Sequence, residues 1–226
     1  MTSKHRAFKN ALNEQFARIA KALASPRRIE LLDALAQCPR TVESLANQAG
    51  MSVANTSQHL QILRAAGLAE SEKEGIFVSY RLADTQVADF LLELRRLATS
   101  RLGDVARIVQ KFVSGDNHPL ESVDRETLLT RVQQGAVVLL DVRPLEEYRA
   151  GHIPGARSMP MAELEQRLTE LPGDRQIVAY CRGPYCLWAL EAVTILRAKG
   201  FTARRLEDGV QEWRARGLGN TNFGSM

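Results

Sequence analysis

Through the first third of the chain, apolar positions recur at steps of three and four, the period of a helix with one buried face. Phe8, Leu12, Phe16, Ile19 and Leu23 share such a face. Ser25-Pro26 then predicts an N-cap followed by proline at the first helical position, opening PRRIELLDALAQ. Cys38-Pro39-Arg40 closes that helix, Thr41 caps VESLANQA, and Gly50 stops it. Ser52 caps VANTSQHLQILRAA, which stops at Gly67. Two short helices joined by Gly50-Met51-Ser52, with small polar residues early in the second, form a helix-turn-helix pattern.

After Gly67 the period becomes two. LAESE and IFVSYRL flank Lys73-Glu74-Gly75, predicting a hairpin with Ile76, Val78, Tyr80 and Leu82 on one face. A helix-turn-helix followed by a hairpin is a winged helix. A long helical run follows, with Val87, Leu91, Leu94, Ala98, Leu102, Val105, Val109 and Phe112 at mixed steps of three and four and a kink expected at Gly103. That run and the first helix are expected to bury against a second copy of the chain. SGDNHPLES, residues 114–122, has little to bury and reads as a linker.

Beyond it, helical and continuous apolar segments alternate. Asp124 caps RETLLTRVQQ, AVVLLDV and QIVAY read as strands buried on both faces, and AELEQRLTEL and LWALEAVTILRAK read as helices. FTARRLE and VQEWRAR complete a small α/β unit with a parallel sheet. The expected organisation is two domains: residues 1–113, mainly α and winged; a linker at 114–119; and an α/β domain at 120–220.

Charge sharpens this division. Residues 1–115 hold 16 Lys/Arg against 11 Asp/Glu, while residues 116–226 hold 14 against 15. The positive excess lies with the helix-turn-helix and suits a polyanionic partner. MTSKHRAFKN lacks the apolar centre of a signal peptide, and no apolar run is long enough to span a bilayer. With three cysteines, an odd and small number, a secreted disulfide framework is not expected and the chain reads as cytoplasmic.

Two of those cysteines stand five positions apart in YCRGPYCL, residues 180–187, where a strand gives way to a helix. That spacing exceeds the usual zinc-clip separation, and no second Cys/His pair completes a tetrahedral site, so neither a metal nor another cofactor is expected. A strand-to-helix loop aims backbone N–H groups and the positive helix end at whatever it encloses, whether a phosphate or a thiolate.

Residues 17–83, with SVANTSQHLQILRAAGLAE as recognition helix and start of the wing, resemble the ArsR family of winged-helix repressors. Residues 119–220 resemble a single rhodanese domain, through LLDVRPLEEYRAGHIPGA, IVAYCRGPYC and LEDGVQEWRARG in that order. The first resemblance implies a homodimer on a double-stranded DNA operator. Ser52, Asn55, Thr56, Ser57, Gln58, His59 and Gln61 would then lie at or near the bases or phosphates, with Lys73 at the wing tip beside Glu70, Glu72 and Glu74. Metal-sensing members use paired cysteines or Asp/His clusters that this sequence lacks; only Cys38 lies near the first of those sites.

The rhodanese resemblance implies that Cys181 is a nucleophile, taking sulfane sulfur from a donor as a persulfide and passing it to a thiol acceptor or cyanide. The active-site loop would comprise Arg182, Gly183, Pro184, Tyr185, Cys186 and Leu187. Related phosphatases close this loop with an arginine, and Cys186 stands in its place, which disfavours phosphatase chemistry. Cys186 either packs at the start of the next helix or resolves the persulfide into a disulfide. Asp141, Arg143, His152-Ile153-Pro154-Gly155 and Trp213 read as scaffold. The function implied is a DNA-binding regulator, a repressor, whose Cys181 senses reactive sulfur or redox state. The alternative is a thiosulfate- or polysulfide-dependent sulfurtransferase with an autoregulatory DNA-binding domain.

Overall fold

The computed structural model describes residues 3–75, 77–113 and 125–217. The linker, Asp124 and Ile76 lie outside them. The chain forms two compact units, Met1–Leu91 and Leu92–Met226.

The first unit opens with α1 (Ser3–Leu23) and α2 (Pro26–Gln37). Ser25 occupies the N-cap of α2 and Pro26 its first turn, but the Ser25 side chain makes no capping hydrogen bond, a departure from the sequence reading. Its carbonyl instead accepts from Ile29 N. A two-residue strand β1 (Arg40–Thr41) precedes α3 (Val42–Gln48). Thr41 and Ser52 cap as expected, their hydroxyls accepting from Ser44 N and Asn55 N at 3.2 Å, and the second opens α4 (Val53–Ala65).

The wing comprises β2 (Ala69–Glu74) and β3 (Phe77–Leu82), paired antiparallel with Glu74 opposite Phe77. The hairpin is tighter than the sequence suggests, since Lys73 and Glu74 continue the strand, paired with Val78 and Phe77. Strand β1 pairs with β3, so the sheet runs β1-β3-β2. Leu31, Leu32, Leu45, Leu60, Leu63, Tyr80 and Leu91 close one core beneath it. Burying each such leucine contributes about 1.5–3 kcal/mol.

The long helical run is not one helix. α5 (Thr85–Arg101) ends and α6 (Gly103–Val113) begins either side of Leu102.

In the second unit, α7 (Arg125–Gln133) leads to β4 (Val137–Asp141), α8 (Leu145–Ala150) and β5 (Arg157–Ser158). A 3₁₀ helix (Leu164–Glu170) then stands where the sequence pattern suggests an α-helix. β6 (Gln176–Tyr180), α9 (Trp188–Ala198), β7 (Ala203–Arg205) and α10 (Val210–Arg214) follow. The sheet order is β5-β4-β6-β7 and every pairing is parallel. Alternate residues of β4 and β6 feed two cores, which explains their unbroken apolar runs. Val138, Leu140, Ile177, Ala179 and Cys181 pack with α9 and the 3₁₀ helix on one face. Leu139, Val178 and Tyr180 pack with Leu128, Val210 and Trp213 on the other. No helix among the described residues is long and apolar enough to cross a membrane.

Candidate functional site

Strand β6 delivers Cys181 to the carboxyl edge of the parallel sheet, where α/β folds build their sites. Cys181 is 1% exposed, on the sheet face covered by α9. The chain then loops through Arg182–Leu187 into α9. Within the loop Cys186 N donates to Gly183 O at 3.2 Å, and the turn brings Cys186 back to Cys181. The two are joined as a disulfide with a Cα–Cα distance of 6.2 Å, within the usual 4.4–6.8 Å range.

The loop is held from three sides. Arg182 is tied to α8: its Nε donates to Glu147 Oε2 at 3.0 Å, its Nη2 donates to Glu147 Oε1, and its guanidinium lies 4.9 Å from the Trp188 ring centroid. Glu147 is fully buried on α8. From β7, Arg205 Nη2 donates to the carbonyl of Pro184. From α10, the buried Glu212 accepts from Gly209 N at 2.9 Å, and its carboxylate lies against Gly183. Burial pushes the Glu212 pKa up, with hydrogen bonds to its own N–H and that of Gly209 opposing the shift.

Gly183, at φ 129°, takes a backbone conformation open mainly to glycine. Gly209 is needed for a different reason: a Cβ there would sit 2.6 Å from Arg182 C and 2.7 Å from Gly183 N. Gly209→Ala is therefore expected to displace the loop and cost about 1–3 kcal/mol. Urea denaturation followed by tryptophan fluorescence checks this, because both tryptophans, Trp188 and Trp213, lie in the α/β unit. A loss below about 0.5 kcal/mol would refute the close approach.

Below the loop lies a buried polar network. Arg143 Nε donates to Asp141 Oδ1 at 2.9 Å, and Arg143 Nη2 donates to Asp141 Oδ2 at 2.6 Å and to Gly151 O at 2.7 Å. Tyr180 donates to Asp141 Oδ2 at 2.7 Å and accepts from Ile153 N at 3.1 Å. Burial, reinforced by the Asp141 charge, pushes the Tyr180 pKa well up and keeps the phenol a donor. The pair thus ties the end of β4 to the His152–Gly155 turn. His152 stacks on Tyr148, with centroids 3.9 Å apart, and Trp213 is core.

On the helix-turn-helix, Ser52, Asn55, Gln58 and Gln61 are exposed, the last three at three-residue steps that share one face of α4. Ser57 and His59 are half-buried. Thr56 is fully buried and its hydroxyl donates to Ser52 O at 3.0 Å, so it locks the first turn of α4 rather than facing outward. Lys73 is exposed on β2. Glu70 is engaged with Arg81, so one of the wing acids is neutralised locally.

Sequence reasoning singled out the cysteines and passed over Glu147, Arg205 and Glu212. Gly183, Gly209 and the Asp-Gly preceding α10 were the only signal that chain segments approach closely there. Cys38 is buried at the end of α2, and no group of three metal-ligating side chains occurs among the described residues.

Comparison with known proteins fits this geometry. Residues 124–216 match the rhodanese-like domain, and residues 25–71 match the ArsR family of bacterial regulatory proteins. The HTH-type transcriptional regulator Rv0324 of Mycobacterium tuberculosis is 48% identical over 93% of this chain and 92% of its own length. The HTH-type transcriptional regulator CmtR of the same species is 35% identical over 44% of this chain and 85% of its own. A solution structure of the homodimeric winged helix-turn-helix DNA-binding domain of Mb0332 from Mycobacterium bovis is 41% identical, covers 42% of this chain and 89% of its own, and superposes with a TM-score of 0.40. With a helix-turn-helix of one family, a cysteine loop of the other and near-full-length similarity to Rv0324, the chain belongs to the ArsR family of DNA-binding transcriptional regulators and carries a C-terminal rhodanese-like domain.

Proposed function

We propose that this regulator senses sulfane sulfur, with Cys181 as acceptor and Cys186 as the thiol that resolves it. The observation that carries the reading is the Cys181–Cys186 pair bridging the loop at the sheet edge of a DNA-binding protein. In the reduced protein, the Cys181 thiolate attacks the terminal sulfur of a polysulfide or low-molecular-weight persulfide. The donor's S–S bond breaks, the donor leaves as a thiolate shortened by one sulfur, and Cys181 becomes a persulfide. Cys186 then attacks Cys181 Sγ, the protein disulfide forms, and hydrosulfide leaves with the pair's surplus electrons. Two equivalents of an external thiol return the pair to the reduced state.

The response travels along the chain through α5 and α6 to a dimeric winged helix on double-stranded operator DNA. Exposed apolar residues on α1 (Phe8, Phe16) and on the later helices (Leu97, Ile108, Phe112) support burial of these helices against a second copy. Asn55, Gln58 and Gln61 would read base edges, and Ser52 and Lys73 would meet phosphates. Thiols kept reduced in a cytoplasm would suit such a cycle.

The test is a titration of the protein's own promoter fragment before and after polysulfide treatment, with intact mass recorded on each sample. Wild type is expected to change its DNA affinity about tenfold or more, and Cys181→Ser to show no change. Equal responses of the two proteins would overturn the reading and point to Cys38.

A turning-over sulfurtransferase is the second reading, favoured by the buried nucleophile at the mouth of a rhodanese-like loop. Arg182, bound to Glu147, leaves the loop without its own counter-charge for thiosulfate. Slow thiosulfate-to-cyanide transfer is expected; rapid turnover would favour the enzyme.

A further inference from the structure

Arg205 is a buried cation beneath the cysteine loop that the sulfur chemistry described above leaves unused. It lies on β7 opposite Ala179 of β6, and with Ala203 it points to the sheet face that holds Ala179 and Cys181. Cys181 is two residues further along β6, so the Arg205 and Cys181 backbones are about 5 Å apart across the sheet and about 7 Å along it. The guanidinium spans that offset, since Nη2 reaches the carbonyl of Pro184 inside the loop. Arg205 is only 7% exposed, and its Nε and Nη1 are buried without a hydrogen-bond acceptor among the described residues.

Burying a guanidinium is costly unless its donors are satisfied. Burial pulls the pKa of Arg205 down, and the charge of Glu207 offsets only part of that. Unmet donors on a buried cation beside a disulfide have an evident use once that disulfide opens. The disulfide sulfurs are neutral and weak acceptors, whereas a thiolate is a charged one.

We propose that Arg205 is the electrostatic partner of the reduced cysteine pair, holding the thiolate that opening of the Cys181–Cys186 bond creates, in the position from which it attacks sulfane sulfur. The inference rests on the reading of this pair as reactive. It gives that pair the positive charge that Arg182, tied to Glu147, does not supply. Two molecules of an external thiol deliver the two electrons, leave as their own disulfide and yield two cysteine thiols, one of which passes its proton to water. The other charged groups around the loop are Arg182 and Glu147, which neutralise each other, Glu212 against Gly183, Glu207 and Asp208 between β7 and α10, Glu191 in the first turn of α9, and Arg95, Arg96 and Arg216, which line the cavity beside Pro184, Tyr185 and Glu212. The acids raise a thiol pKa; Arg95, Arg96 and Arg216 stand on the Tyr185 side of the loop, and Arg205 is the buried cation on the sheet face that holds Cys181.

The test is the pH profile of iodoacetamide alkylation in the reduced, full-length protein, resolved per cysteine by peptide mass. In wild type the more reactive cysteine is expected to titrate below the ordinary thiol value of about 8.5. In Arg205→Gln its pKa should rise by about one unit or more, and in Arg205→Lys the profile should return most of the way to wild type. An unshifted profile in folded Arg205→Gln, or no rescue by lysine, overturns the proposal. Should Arg205→Gln not fold, a wild-type pKa at or above about 8.5 overturns it and a lower one with retention in Arg205→Lys supports it. DNA titration of the same samples separates the two claims: a shifted profile without a DNA response removes the sensing reading and leaves Arg205 in place.

Discussion

Asp141→Ala is expected to destabilise the rhodanese-like domain by about 3–5 kcal/mol, among the largest single-residue effects in the chain. Asp141 and Arg143 are both fully buried, and the carboxylate holds the guanidinium through three side-chain bonds, two of them from Nε, while accepting from Tyr180. Removing it leaves a desolvated cation without its counter-ion, still donating to Gly151 O, and a tyrosine hydroxyl that has lost its acceptor. Asp141→Asn keeps oxygen in place and should cost less, because the amide still accepts from either neighbour though it no longer cancels the charge. Urea unfolding monitored by tryptophan fluorescence separates the cases, since Trp188 and Trp213 report on this domain alone. A cost near or below 1 kcal/mol for Asp141→Ala would mean that the network is not what joins β4 to the His152–Gly155 turn.

Much of this arrangement is visible in the order of residues. Ser52 and Thr41 declare helix starts because their hydroxyls answer a local need, two unpaired N–H groups three residues on. AVVLLDV and QIVAY declare central strands because both faces of a parallel sheet are covered. The cysteine spacing declares a loop between strand and helix, but leaves Cys186 open between packing at the helix start and pairing with Cys181. The features that escaped are those fixed by distant partners. Arg40–Thr41 becomes a strand only because Tyr80 and Ser79 pass beside it, whereas the break of the long helix at Leu102 falls beside Gly103, where the sequence places a kink. A charged residue in a sequence reads as solvated, so Glu147, Arg205 and Glu212 look like surface until the fold encloses them. The loop arginine is the clearest instance. Arg182 is adjacent to Cys181, yet an acid 35 positions earlier on α8 engages its guanidinium. The cation placed beneath the loop is Arg205, and it comes from the opposite direction along the chain.

Cys186→Ser is expected to convert a transient persulfide into a stable one. With both cysteines present, Cys186 lies five residues from Cys181 in a loop whose own hydrogen bond, Cys186 N to Gly183 O, already closes the turn. Closing so short a loop costs little entropy, so attack by Cys186 on the persulfidated Cys181 outruns attack by thiols from solution. Wild type treated with polysulfide should therefore lose the mass of two hydrogens per chain relative to the reduced protein and release one hydrosulfide. The serine variant should instead gain the mass of one sulfur atom and release none until an acceptor thiol is added. Its DNA affinity should stay at the reduced value if, as proposed, the covalent closure of the loop and not the added sulfur is the signal. Accumulation of a persulfide in wild type without hydrosulfide release would assign Cys186 to packing. A serine variant that loads sulfur and still changes its DNA affinity would make the persulfide itself the signal, with Arg205 as the group placed to hold its negative end.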